Sequence, residues 1–176
     1  IVPLTPATED DLWVVSKQLG RPARDIVAIA ARCVCGKPTV VQTAPRLGDG
    51  TPFPTTYYLT HPGATAALST LEASGLMAQL QERLNADEQL AAQYRAAHDR
   101  YLADRAELEK ATGVVSEIAG ISAGGMPVRV KCLHALAGHS LAAGPGVNPI
   151  GDIALELCSW SPERCVCSVE TDVTNR

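Results

Sequence analysis

Hydrophobic and polar positions divide the chain into two regimes. Between residues 25 and 60 the apolar residues come in short, β-branched runs, Ile26-Val27-Ala28-Ile29-Ala30-Ala31 and Thr39-Val40-Val41-Gln42-Thr43, separated by Cys33-Val34-Cys35-Gly36-Lys37-Pro38. Two such runs across a Gly/Pro turn predict a hairpin. A third strand is expected at residues 55–60, after a loop at 44–54 that Asp49-Gly50 turns and three prolines stiffen. From residue 62 the spacing becomes helical, over 62–73, 76–84 and 87–111. In the longest segment Leu90, Tyr94, Ala97, Tyr101 and Leu108 share one face, and His98 beside them is expected in solvent. A glycine loop at 120–125 should lead into a helix from Pro127 to about Ala143. Asn148-Pro149 should start another, to Leu157. At the front, Thr5-Pro6-Ala7-Thr8 and the acids Glu9, Asp10 and Asp11 predict a helix over 5–19, stopped by Gly20-Arg21-Pro22. The expectation is a single α+β domain over 1–157. It has a small, mainly antiparallel sheet (about 25–60) packed against a layer of helices (62–157), plus the N-terminal helix. Residues 158–176 form a cysteine-containing C-terminal tail, polar at its end and expected to fray.

Composition narrows the class. A chain of 176 residues with 46% hydrophobic and 19% charged residues can bury a globular core. A net charge of −4 without a basic patch argues against a nucleic-acid partner. No apolar window reaches membrane-span length, and acids precede the first hydrophobic run, the wrong order for a signal peptide. A cytoplasmic setting is therefore expected, in which six cysteines are free thiols or metal ligands.

Three kinds of chemistry are written into these residues. The first is a transition metal, zinc foremost, with ligands among Cys33, Cys35, His61, Cys132, His134 and His139, since mixed thiolate and imidazole donors suit that ion. On an ideal helix Cys132 and His139 return to within about 20° of each other, whereas His134 stands roughly 160° from Cys132. Cys132 and His139 are thus the stronger pair, and His134 joins only if the first turn is irregular. The sheet edge and the helix should meet near Cys33, His61 and Cys132. The second is a small anionic ligand held by Gly124, Gly125, Arg129 and Lys131 at a helix start, or by Arg46 on the stiff loop. An enzyme acting on a phosphorylated or carboxylated small molecule would add His134, Asn148 or Asp152 as catalytic groups. The third is a nucleophilic thiol at Cys132, beside Lys131 and His134. Cys165-Val166-Cys167 can bind a soft metal or be redox-active, but two thiols in a loose end are the plainer account. A non-catalytic interaction protein, docking through helix 87–111 and the tail, is a further reading, its partner unspecified.

The blocks RCVCGKPTVVQTAPRLGDGTPFPTTYYLTHP and SAGGMPVRVKCLHALAGHSLAAGPGVNPIGD resemble the bacterial family catalogued as domain of unknown function 501, over roughly residues 20–157. The resemblance implies a bacterial, cytoplasmic protein and brings no activity, substrate or catalytic residue. Features shared with the family include Cys33, the Pro52-Phe53-Pro54-Thr55 loop and Lys131-Cys132-Leu133-His134. Where the family often has Leu-Thr-Cys-Pro, this chain has Leu59-Thr60-His61-Pro62. Histidine there still suits zinc but counts against an all-thiolate iron–sulfur cluster.

Overall fold

The structure, a computed structural model, describes residues 4–168 and 171–175. The hairpin forms as its pattern demands: β2 (Ile26–Arg32) runs antiparallel to β3 (Pro38–Thr43), and β3 pairs antiparallel with β4 (Tyr57–Leu59). A two-residue edge strand, β1 (Thr5–Pro6), completes the sheet in the order β1-β2-β3-β4. These residues were expected inside the first helix. Pro6 is instead accommodated at the sheet edge, where its missing N–H is not needed, and the helix is capped two residues later. Thr8 accepts from the Asp11 N–H while Asp11 accepts from the Thr8 N–H, a capping box that starts α1 (Glu9–Leu19).

Every residue of β3 is buried, because both faces of the sheet are covered. On one side Val15 of α1 packs with Ile29 and Val41. On the other, Ala30, Val40 and Leu59 join the main core. Two covered faces explain why these strands read as continuous apolar runs rather than alternating ones.

The helical layer comprises α2 (Pro62–Ala73), α3 (Leu76–Ala86), α4 (Glu88–Thr112), α5 (Leu133–Ala143) and α6 (Pro149–Leu157). The predicted stripe of α4 is its buried face, and no helix among the described residues is long and apolar enough to cross a membrane. His98 is half-buried, its Nδ1 2.8 Å from the Ser122 hydroxyl, rather than free in solvent.

The helix expected from Pro127 begins six residues later. Gly124 and Gly125 both have positive φ, and their carbonyls accept from Lys131 and Arg129, closing 124–131 into a loop. Gln81 of α3 then takes the Val130 N–H on its Oε1 and donates to the Val128 carbonyl. A side chain thus satisfies backbone groups that a helix would have paired internally. Cys132 is the extended N-cap of α5, at φ −150°.

Helix α5 meets the sheet at Gly138, where a Cβ would lie 3.3 Å from the Tyr57 carbonyl oxygen. That contact, and not one near Cys33 and Cys132, is where helix and sheet edge come together. The tail does not fray at its start. Trp160 is buried against His61, ring centroids 5.2 Å apart, and the Pro162 carbonyl accepts from the Val34 N–H at 2.9 Å.

Candidate metal centre

The returning tail carries Cys165 and Cys167 to the hairpin tip. Cys33 directly follows β2, and its N–H donates to the Lys37 carbonyl. Gly36, at φ +89°, turns the chain so that Cys33 and Cys35 point to one side. The sulfurs of Cys33, Cys35, Cys165 and Cys167 all lie within 4.8 Å of one another, a group that can hold a metal ion. Cys35 Sγ and Cys167 Sγ are 3.5 Å apart. Four sulfurs bound tetrahedrally at about 2.3 Å from a zinc would be roughly 3.8 Å apart, so the spacing fits a shared ion, and it is far too long for a disulfide.

Electrostatics in the cluster are uneven. Burial works against the Cys35 thiolate, but the Lys37 backbone N–H and the neighbouring sulfurs outweigh it and bring its thiol down to about 7. Burial pushes the Cys33 and Cys167 thiols up. Cys33 and Cys167 thus resist ionisation beside the more readily ionised Cys35.

His61 stands beside this group. Its Nδ1 accepts from the Gly63 and Ala64 N–H groups as the N-cap of α2. The ring proton is therefore assigned to Nε2, which faces Cys167 Sγ at 3.3 Å. With Nδ1 committed to the cap, His61 serves the sulfur as a hydrogen-bond donor. Desolvation by burial lowers its pKa and favours this neutral form.

Cys132 and His134 belong to a second group, with Glu72 of α2. His134 Nδ1 is 3.1 Å from Glu72 Oε1 and 3.9 Å from Cys132 Sγ. The helical-wheel objection to this pair lapses because Cys132 lies before the helix. Bonding to Cys132 raises the His134 pKa to about 9, burial opposing and Glu72 assisting. Burial resists the Cys132 thiolate, but His134 outweighs it and its pKa falls.

His139 joins neither group. It is fully buried, stacked on Tyr57 (5.9 Å) and edge-on to Tyr101 (5.0 Å), and the Asn148 amide donates to its Nδ1 at 3.1 Å. The expected Cys132–His139 pair does not form because close packing at Gly138 turns the next residue into the core. Desolvation lowers its pKa to about 4. Asn148 also caps α6 through the Gly151 N–H, and Asp152 accepts from the Gly146 N–H, so these two of the three candidate catalytic groups hold the chain in shape.

The anion candidates are dispersed. Arg46 forms a two-pronged pair with Glu117, and Arg129 and Lys131 are exposed on a closed loop rather than at a helix start. The carbonyls of Gly124 and Gly125 are turned to that loop's own N–H groups. A cavity of about 650 Å³ lies between the end of α1 and the 44–54 loop, where Phe53 and Tyr58 meet Arg21, Arg24, Asp25 and Asp49. Two cations there face two carboxylates.

Sequence reasoning missed that the cysteines at 33–35 and 165–167 belong together. The available signal was the tripeptide Cys-Val-Cys occurring twice. Searches of curated proteins and of solved structures return no match. The family described as protein of unknown function (DUF501) matches residues 29–156, a span that holds Cys33, Cys35, Glu72, Cys132 and His134 but ends before Cys165, and this chain belongs to that family.

Proposed function

We propose that the protein binds one zinc ion through Cys33, Cys35, Cys165 and Cys167. The observation that carries this reading is the convergence of two Cys-Val-Cys loops, more than a hundred residues apart in sequence, on one point. Four sulfur donors with no open position suit a closed, structural site. The ion would fasten the tail to the hairpin tip, and the His61 N–H would steady Cys167 as an outer partner. Free thiols also favour a reducing compartment such as the cytoplasm.

Elemental analysis of protein purified without a metal-affinity tag tests the proposal. One equivalent of zinc is expected, lost on the double substitution Cys35→Ser/Cys167→Ser. Less than about a tenth of an equivalent of any transition metal, after refolding with zinc under reducing conditions, would overturn it.

A further inference from the structure

We infer that Glu72, Cys132 and His134 form a second metal site of a different class, one with three protein ligands and an open fourth position. This goes beyond the four-sulfur reading and does not depend on it.

The donors come from two separately anchored pieces of chain. Glu72 lies in the last turn of α2, while Cys132 and His134 bracket the start of α5. A zinc-type ion bound at about 2.0–2.3 Å would set its nitrogen and oxygen ligands roughly 3.3 Å apart, and its nitrogen and sulfur ligands roughly 3.6 Å apart. The corresponding separations are 3.1 Å and 3.9 Å. Closing those gaps takes a few tenths of an ångström, within the reach of side-chain rotation.

The outer partners favour the same arrangement. His134 Nε2 is 3.1 Å from the Thr65 carbonyl oxygen and 3.1 Å from the Ser69 hydroxyl. A carbonyl accepts only, so Nε2 carries a proton toward Thr65; the proton on Nδ1, directed at Glu72 Oε1, is the one a bound ion would displace to take the Nδ1 lone pair at the point shared by Glu72 and Cys132. Glu72 Oε1 is in turn fixed by the Leu133 N–H at 2.7 Å. One thiolate and one carboxylate balance the charge of a divalent ion. The side chains of His134 and Glu72 are 24% and 25% exposed, so water or a small anionic ligand can reach the fourth position. The four-sulfur group offers no such vacancy.

Cobalt(II) titration of the full-length protein tests the inference, because thiolate-to-cobalt absorption scales with the number of sulfurs bound. Two equivalents are expected, one with strong four-thiolate absorption and one with weak single-thiolate absorption. Cys132→Ala should abolish only the weak component. Glu72→Gln, which keeps an acceptor for the Leu133 N–H and so guards the fold, should weaken that component about tenfold or more. Cys35→Ser/Cys167→Ser should abolish only the strong one. If Cys132→Ala and Glu72→Gln both bind cobalt as the unaltered chain does, the second site is overturned and the first stands. A weak component surviving alone in the unaltered chain would overturn the first site and keep the second.

Discussion

The hairpin tip and the α5–α6 block use reactive side chains in opposite ways. Within the block, beyond His134 at its first turn, the polar candidates serve the fold itself. Asn148 caps α6 and binds His139, His139 fills the space between two tyrosines, and Ser140 donates to the Asn148 carbonyl. At the tip the four sulfurs have chiefly one another as neighbours, and only an outside group such as an ion would satisfy them together. Side chains are free for chemistry where neither caps, ladders nor packing need them, and residue type alone does not reveal which case holds.

The sharpest way to break this contrast is to remove metal. Chelation should cost the tip binding energy on the order of 10 kcal/mol, releasing residues 160–168 while leaving α5 and α6 intact. Hydrogen exchange should show the large rise in the tail and at Val34, with no more than the first turn of α5, beside Glu72, Cys132 and His134, following; equal rises along the whole of α5 would erase the distinction.

Acid should act on the block. His139 has a folded pKa of about 4, below its unfolded value near 6.5, so the unfolded chain binds a proton that the folded one refuses. Its contribution is fully present above pH 6.5 and is lost as pH falls from 6.5 toward 4, at a cost of roughly 3 kcal/mol. Denaturant unfolding of His139→Phe, set against the unaltered chain with zinc chelated in both, should show a shallower loss over that window. Identical pH slopes would remove His139 as the cause.

Asn148→Ala should cost about 2 kcal/mol, from a lost cap and an unpaired group beside His139, without changing zinc stoichiometry. Chemical denaturation and elemental analysis together read both. The smallest expected effect is at the border of the two regions: His61→Asn keeps a side chain able to cap α2 but loses the reach to Cys167, and zinc affinity should fall about tenfold. Competition with a chromophoric chelator measures this, and unchanged affinity would make His61 a helix cap alone.

Much of the fold was legible in the chain. The β-branched runs at 26–31 and 39–43, the tyrosine stripe of α4 and the Asn148-Pro149 start of α6 depend on neighbours within a few residues, where local sterics and periodicity govern. The start of α5 was misplaced because Gln81, some fifty residues away, satisfies the backbone at 128–130. The candidate ligands were found as residue types but grouped wrongly, since a helical wheel drawn through Cys132 presumes a helix that begins only at Leu133.

The sequence by itself determined the α+β layering, the helix boundaries marked by caps and glycines, and the presence of thiols and imidazoles in reserve. Which donors meet was decided only in three dimensions. The tail must bury Trp160 against His61 before Cys165 and Cys167 can reach Cys33 and Cys35. Glycine at 138 must let α5 settle on β4 before His139 is sealed among tyrosines. Periodicity reports which face of an element is apolar. It carries no information on which distant face will cover it, because that choice belongs to packing among all the elements at once.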